Sequence, residues 1–155
     1  LYKILSDSES MKHYPKPYTK EEVKDWIKRN INRYREHGFG LWAVELKNGN
    51  NFIGDCGITM QNINGTLIPE IGYHINKQFT GNGYATEAAQ ACKDYAFNTL
   101  GFQKIYSYMK FTNLSSARVA EKNGMKLEFE YDDPVNVVTK VYSITIEEYF
   151  NQSLE

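Results

Sequence analysis

The chain has few cysteines, no excess of charge of either sign and no long apolar run. Its two cysteines, Cys56 and Cys92, are too few and too isolated in sequence for a disulfide framework or a zinc site, so we expect two reduced structural thiols and no metal. The 18 Lys and Arg nearly balance the 19 Asp and Glu, which gives no electrostatic reason to expect a nucleic acid or an anionic membrane as partner. No apolar run approaches the roughly 18 residues of a membrane span, and the first residues do not form a signal peptide, so the sequence predicts a cytoplasmic protein.

The 155 residues are enough for one domain with a single core, without repeats or a linker, and we take residues 1–155 as that domain. Helical spacing predicts helices over residues 1–14, 19–38, 86–99 and 114–123, the second of which begins with a capping box of Thr19 and Glu22. Alternating patterns and turn residues predict strands over residues 41–47, 52–60, 69–75, 104–110, 125–130 and 140–146. This order predicts an α/β fold with a mixed sheet and helices on both faces.

A glycine-containing loop runs directly into the third predicted helix and has the sequence Gln78-Phe79-Thr80-Gly81-Asn82-Gly83-Tyr84-Ala85. Glycines allow close approach of the backbone to a ligand, and a helix N-terminus offers unpaired N–H groups, so the loop predicts a phosphate site. It fits neither the P-loop nor the dinucleotide fingerprint, because Gly-Lys-Ser/Thr is missing and Thr86 stands where a third glycine or alanine belongs. Taken alone, Gly81 and Gly83 also fit a plain turn before a helix.

Together with three further segments, this loop resembles the acetyl-CoA site of the GNAT superfamily of N-acetyltransferases. The branch it resembles contains the ribosomal-protein alanine acetyltransferases (RimJ/RimL-like). The segments occur in the family's order over most of residues 19–146, and they are Glu70-Ile71-Gly72-Tyr73, Tyr84-Ala85-Thr86-Glu87-Ala88, and Asn113 to Arg118 followed by Glu121-Lys122-Asn123-Gly124.

The resemblance implies a GNAT fold with a mostly antiparallel sheet of six or seven strands. It also implies direct transfer of an acetyl group from acetyl-CoA to a primary amine, either a protein N-terminus or a small molecule, in a ternary complex. The first strand of that fold is missing from this sequence, since residue 1 already lies in a predicted helix, and either the given chain is trimmed at its N-terminus or the protein dispenses with this edge strand. Relatives that pair through sheet edges make a homodimer compatible with the resemblance.

The cofactor contacts implied by the resemblance centre on the backbone amides of the glycine loop. Asn113 is expected at the pantetheine arm or as a helix cap, and Arg118 either at a CoA phosphate or in a surface ion pair with Glu121. The full set expected to bind the cofactor is Ile71, Tyr73, His74, Ile75, Gln78, Phe79, Thr80, Gly81, Asn82, Gly83, Tyr84, Ala85, Asn113 and Arg118.

Glu70 is the residue that the resemblance implies as acceptor of the amine proton, with an exposed carboxylate at a strand end as the alternative. An amine resembling lysine has a pKa near ~10.4, so a base is needed at neutral pH. Glu70, Gly72 and His74 share one face of an extended strand, so His74 either joins the proton path or forms a wall of the pocket. Backbone amides of residues 71–75 are expected to stabilise the oxyanion.

Ser116 is the second residue expected at the reaction centre, close to the thioester, although capping of the helix explains it equally well. Many relatives carry a tyrosine that protonates the thiolate where this chain has Ala120, so Ser116, a water or another of the 12 tyrosines must replace it. Because that acid is absent, a non-catalytic acyl-CoA sensor is the alternative function.

The acceptor side is predicted from aromatic residues alone. The segments 11–18 and 39–42 are expected to border the acceptor cleft, although Trp26, Phe39 and Trp42 also fit an ordinary core. His13 and His37 lie beside helical segments without a partner motif, and we predict that both are surface residues.

Overall fold

A six-stranded sheet carries the fold, and the computed structural model describes all 155 residues. The strands are β1 (Leu41–Glu45), β2 (Phe52–Ile63), β3 (Thr66–Ile75), β4 (Lys104–Lys110), β5 (Lys126–Asp133) and β6 (Val137–Thr145). The helices are α1 (Tyr2–Leu5), α2 (Lys20–His37), α3 (Tyr84–Asn98), α4 (Leu114–Lys122) and α5 (Ile146–Gln152), with a 3-10 turn at Lys77–Phe79. None of these helices has the length and apolarity needed to cross a bilayer.

The sheet has the order β1-β2-β3-β4-β6-β5, and every neighbouring pair is antiparallel except β3 and β4. This confirms the predicted mixed, mostly antiparallel fold with six strands. The parallel pair is joined at one register position, Glu70 with Tyr106. Beyond it the Ser107 hydroxyl, rather than a backbone amide, donates to the carbonyl of Ile71 at 3.2 Å. The C-terminal halves of β3 and β4 therefore separate and leave a gap in the sheet.

Helices cover both faces of the sheet, as the element order predicts. Ile71 of β3 belongs to the main core, which also holds Ala89 and Cys92 of α3. His74 lies three residues after Ile71 on β3, so its side chain points to the opposite face. Its ring lies 5.3 Å from the ring of Trp26 in α2. Alternation along β3 thus gives α3 one face of the strand and α2 the other.

Local signals explain where these elements begin and end. Both hydrogen bonds of the predicted capping box join Thr19 and Glu22 at the start of α2, and the helix ends at Gly38 with φ +77°. The β2–β3 hairpin turns at Asn64 and Gly65, whose φ values of 50° and 85° suit the asparagine-glycine pair.

At the chain ends, one predicted helix is too long and one helix was not predicted. The predicted helix over residues 1–14 ends at Leu5, and turns follow, because the Asp7 carboxylate accepts from the amide of Ser10 at 2.8 Å and offers the backbone an alternative to the helix. Helix α5 follows the last predicted strand, over residues for which no element was predicted. It has its own capping box of Thr145 and Glu148.

The two cysteines are not isolated in space. Cys56 of β2 and Cys92 of α3 are both buried, with their Sγ atoms 3.7 Å apart, and both are free thiols. Their structural role as reduced core residues agrees with the prediction, and they meet although they are distant in sequence because α3 packs directly over β2.

Candidate active site

A cleft opens where β3 and β4 separate, and it consists of two adjoining cavities. One, of about 460 Å³, lies beneath α2 and is called the α2 cavity. The other, of about 420 Å³, follows the glycine loop and α4 and is called the loop cavity. Six residues line both, so the cavities form one continuous cleft: His13, Tyr14, Tyr73, His74, Asn113 and Ser116.

The glycine loop presents unpaired backbone donors to the loop cavity. No N–H group of residues 81–86 donates to a backbone carbonyl, and no side chain caps α3. Gly81 and Gly83 have φ values of 80° and 81°, which residues with a side chain rarely adopt. The space around them is open, because an added Cβ would meet nothing within 4 Å. Unpaired N–H groups at the positive end of a helix fit an anionic ligand such as a phosphate.

Most of the residues predicted to bind the cofactor line the loop cavity. They are Tyr73, His74, Ile75, Phe79, Thr80, Gly81, Gly83, Tyr84, Ala85, Asn113 and Arg118, joined by Ser116. Gln78 and Asn82 do not line it. The Asn82 amide instead donates to the carbonyls of Phe79 and Thr80 and so closes the loop. Ile71 lines the α2 cavity but buries its side chain in the core.

Arg118 is free to meet a ligand. It lines the loop cavity and takes part in none of the ion pairs of the structure, including the surface pair with Glu121 considered from the sequence. Lys77 and Lys122 line the same cavity. The loop cavity therefore combines unpaired amides with cationic side chains, which suits a polyanionic ligand.

Glu70 is a buried carboxyl group in the wall of the α2 cavity. Only 8% of the residue is exposed, so the alternative of an exposed strand-end carboxylate is wrong. Burial raises the pKa of Glu70 to about 8, against the opposing effects of a hydrogen bond from Thr59 and the positive charge of Arg33. A carboxyl group with this pKa exchanges protons near neutral pH and can serve as a general base.

The shared face of Glu70, Gly72 and His74 is confirmed by the structure. The register between β2 and β3 runs without a bulge from residue 66 to residue 75, so the alternation along β3 is unbroken. An added Cβ at Gly72 would lie 3.1 Å from Glu70 Oε2, which places both residues on the same side of the strand. All three residues line the α2 cavity.

His74 forms the centre of a hydrogen-bonded chain of three side chains. Its Nδ1 lies 2.8 Å from Asp55 Oδ1, and its Nε2 lies 2.8 Å from the Tyr14 hydroxyl. Because a carboxylate only accepts, Nδ1 carries the proton, and in the neutral imidazole Nε2 then accepts from Tyr14. Trp26 packs edge-on against the imidazole ring. His74 is thus held in one tautomer and one orientation.

Tyr14 lies in the segment 11–18 that was predicted to border the acceptor cleft, but neither Tyr14 nor Asp55 was predicted as an individual site residue. Tyr14 exposes 38% of its surface, yet its hydroxyl lies inside the cleft, where desolvation and the nearby charge of Glu70 raise its pKa. Asp55 is 5% exposed and faces His74 across the β2–β3 pair, and its Oδ2 has no hydrogen-bond partner. The one signal for Asp55 in the sequence was its acidic side chain between two apolar residues of the same strand, Ile53 and Ile58.

The Asn-x-x-Ser segment begins α4 and ties it to β3. Asn113 is the N-cap, because its Oδ1 accepts from the amide of Ser116 at 3.2 Å. The Tyr73 hydroxyl donates to the Ser116 carbonyl at 2.8 Å. Asn113 rather than a serine therefore caps the helix, while Ser116 lies where the two cavities meet.

His13 does not lie on the open surface, as the sequence predicted, but lines both cavities with Nδ1 3.0 Å from Thr112 Oγ1. The prediction failed because the turns after α1 bring this segment over the cleft. His37 is exposed at the end of α2, as predicted. Of the aromatic residues, Tyr18 and Trp26 line the α2 cavity, whereas Phe39 is a core residue.

The fold and the cleft define an acyltransferase with a mixed α/β architecture. Residues 1–126 match the family model described as an acetyltransferase (GNAT) domain, and the chain belongs to this family. The chain is 38% identical over 122 residues to the uncharacterised protein YkkB of Bacillus subtilis, and the aligned region covers 79% of this chain and 71% of that protein. It is 32% identical over 129 residues to YnaD, an uncharacterised N-acetyltransferase of the same organism, covering 83% and 72%.

Solved structures agree with the fold. A GNAT-family acetyltransferase from Bacillus anthracis is 28% identical with a TM-score of 0.78, covering 95% of this chain and 87% of that one. Two more distant structures both have TM-scores of 0.74. A Vibrio cholerae spermidine N-acetyltransferase with CoA and spermine is 20% identical, covering 97% of this chain and 90% of that one. The ribosomal-protein acetyltransferase RimL with CoA is 18% identical, covering 95% of this chain and 87% of that one. These two share the fold, and neither identifies the acceptor of this chain.

Proposed function

We propose that the protein transfers an acetyl group from acetyl-CoA to a primary amine bound in the α2 cavity. The observation that supports this most directly is Glu70, a carboxyl group with a pKa of about 8 in the wall of a cavity that adjoins an anion-binding loop. A base with a pKa near the working pH is what removal of an amine proton requires.

The loop cavity fits the phosphates of CoA. Unpaired amides of residues 81–86 and the cations of Arg118 and Lys122 surround it, while the lining residue Lys77 is paired with Asp7 at 2.7 Å. Each hydrogen bond to a charged acceptor contributes roughly 1.5–3 kcal/mol, so a few of these amides account for firm binding. When bound, acetyl-CoA supplies the activated acetyl group, and the rest of the chemistry falls to the side chains of the cleft.

Glu70 accepts the proton of the amine. An alkylamine with a pKa near ~10.4 is almost wholly protonated at neutral pH, so it becomes a nucleophile only after losing a proton. The raised pKa of Glu70 makes its ionised form a stronger base than an exposed carboxylate. Beyond Glu70 no backbone pair joins β3 to β4, so the amides of residues 71–75 on that edge are available to an oxyanion.

Tyr14 positions the amine through the fixed orientation of His74. Because its hydroxyl proton is directed to His74 Nε2, the lone pairs of its oxygen are left to accept an N–H of the acceptor. Asp55 acts through His74 by holding the required tautomer. Ser116, at the junction of the cavities, is proposed at the thioester, and Ala120 is buried in the core and offers no acid there.

The test is release of CoA from acetyl-CoA, detected with a thiol reagent, across amino acids, peptides with different N-termini and polyamines. We expect release that depends on the acceptor. Glu70→Gln should lower kcat/KM by about 100-fold, the typical contribution of a general base, without changing the Kd of acetyl-CoA. Glu147→Gln is the matched control, because Glu147 is exposed on α5 and lines neither cavity.

If the wild-type protein binds acetyl-CoA but releases no CoA with any amine, the sensor alternative replaces this proposal. Peptide N-termini and polyamines belong in the panel because RimL and the spermidine enzyme share the fold. The resemblance to the ribosomal-protein branch, a cytoplasmic location and a homodimer stay predictions.

A further inference from the structure

Two arginines on α2 face the α2 cavity without an acidic partner. Arg29 and Arg33 are one helical turn apart and both line this cavity. Like charges at this spacing repel each other. Desolvation and the charge of Arg29 lower the pKa of Arg33, so its charged form is held against an unfavourable environment.

No carboxylate forms an ion pair with either arginine, and Glu70 is the one acidic residue whose charge offsets the repulsion at Arg33 from a distance. The ion pairs of the structure use lysines and histidines, and no arginine has an acidic oxygen within 4 Å. The one hydrogen bond of Arg33 runs from Nη1 to Asn30 Oδ1 at 3.2 Å. Asn30 is itself fixed by bonds to the Trp26 carbonyl and the Leu41 amide. Arg33 is therefore held in place while its other N–H groups are left for a ligand.

The charges around the α2 cavity favour an anion. Arg29, Arg33 and Lys110 line it, and Glu70 is its one acidic residue. These three cations outnumber Glu70 even when its carboxyl group is ionised, as it must be to accept the amine proton. The cavity is thus positive, although the whole chain has a net charge of −1. A polyamine would be repelled here, whereas an anionic group would gain charge-assisted hydrogen bonds from a guanidinium.

We infer that the acceptor is a primary amine that also carries a carboxylate, and that Arg33, assisted by Arg29, binds this carboxylate while the amine lies at Glu70. The inference rests on the proposed function and narrows its acceptor class. Two sources have this chemistry, a free amino acid and a peptide N-terminus with an acidic residue beside it. Neutral amines of the same shape and polyamines are excluded as preferred acceptors.

The test compares acceptors that differ only in charge. One pair is alanine and alanine amide, and a second is the amidated peptides Ala-Asp-Ala and Ala-Asn-Ala, with spermidine as a fifth compound. Calorimetry on the protein saturated with CoA measures their Kd without requiring turnover, and CoA release measures kcat/KM. We expect the acid of at least one pair to bind and react about tenfold or more better than its amide, the effect of one hydrogen bond to a charged group.

Arg33→Gln should reduce this ratio to near one. The variant also removes a charge that lowers the pKa of Glu70, but the same base serves both members of a pair, so that effect cancels in the ratio. Arg29→Gln should reduce the ratio partly. Arg35→Gln is the matched control, because Arg35 is exposed on the same helix and lines neither cavity.

Each outcome separates the two proposals. Equal Kd values for acid and amide in both pairs, or tighter binding of spermidine, would overturn the inference while turnover of any amine still supports acetyl transfer. Preferential binding of an acid that depends on Arg33, without release of CoA, would retain the anion site and reject the proposed function. The pair that shows the larger ratio identifies a free amino acid or a peptide as the source.

Discussion

At the scale of single residues, the most consequential group is Glu70, whose burial couples stability to pH. Its pKa is about 8 in the folded protein against 4.5 for an exposed glutamate, so the folded state favours the protonated form. Stability from this group is fully present below pH 4.5 and is lost as the pH rises to about 8, where the buried carboxyl group ionises.

We therefore predict that Glu70→Gln, which stays neutral, becomes increasingly more stable than the wild type as the pH rises. The gain in free energy of unfolding should be near zero at pH 4 and on the order of 5 kcal/mol at pH 9, since each unit of pKa difference corresponds to about 1.4 kcal/mol. Urea unfolding at several pH values measures it. A difference that does not change with pH would show that Glu70 is not desolvated.

A second prediction at this scale concerns Tyr14. Tyr14→Phe should raise the KM of the amine about tenfold with a smaller change in kcat, because one hydrogen bond that positions the acceptor is lost. Asp55→Asn should have a similar effect, since an amide donor at Nδ1 reverses the tautomer of His74 and turns the Tyr14 oxygen into an acceptor from Nε2. Steady-state kinetics with Tyr2→Phe, an exposed tyrosine on α1, as control would distinguish this from a general loss of structure. An unchanged KM would contradict the positioning role.

These residues also show what the sequence could and could not predict of the site. The glycine loop has a local pattern that predicts an anion site, and Glu70 lies in a contiguous segment that carries the family resemblance, so both were predicted. The Tyr14–His74–Asp55 chain joins residues that are 60 and 19 positions apart, and no local pattern marks such a set. It exists only because the turns after α1 and the pairing of β2 with β3 bring three segments together.

At the scale of elements, close backbone contact constrains β2 more than it constrains the glycine loop. A Cβ at Gly57 would collide with the carbonyl oxygen of Gly40, whereas one at Gly81 would meet nothing within 4 Å. We predict that Gly57→Ala lowers the free energy of unfolding by more than about 3 kcal/mol, because backbone atoms must shift.

Gly81→Ala is the comparison for that variant. It suffers only the positive φ of 80°, which is expected to lower stability by about 1–2 kcal/mol. Denaturant unfolding of both variants checks the difference. If Gly57→Ala proved as stable as the wild type, the approach of β2 to the segment before β1 would be looser than it is here.

Elements with two independent signals were predicted well from the sequence. Helix α2 has a capping box, apolar spacing and a terminal glycine, and its bounds agree with the prediction within one residue. The helix predicted for residues 1–14 had only apolar spacing and a proline limit, which says where a helix cannot continue but not where it ends. Helix α5 has a capping box at Thr145 and Glu148, but its seven residues are few for an apolar pattern, and no helix was predicted there.

At the scale of the whole molecule, direct transfer requires no thiol from the protein. Cys56 and Cys92 are buried beneath α3 and line neither cavity. We predict that the double variant Cys56→Ala, Cys92→Ala retains kcat within about threefold and loses only stability, on the order of 2 kcal/mol, for the atoms removed from the core. Turnover and thermal unfolding measure these effects. A large loss of kcat with unchanged binding of acetyl-CoA would contradict direct transfer.

The single pairing of Glu70 with Tyr106 divides the sheet into two antiparallel halves, β1-β2-β3 and β4-β6-β5. A ligand that lies in the gap touches both halves and takes the place of the missing ladder. A ligand bound in the cleft therefore also holds the two halves of the sheet together, because its free energy of binding adds to the free energy of folding. The cosubstrate would thus stabilise the sheet across the gap between β3 and β4. Amide protons along the inner edges of these two strands would then exchange with solvent more slowly in its presence than in its absence.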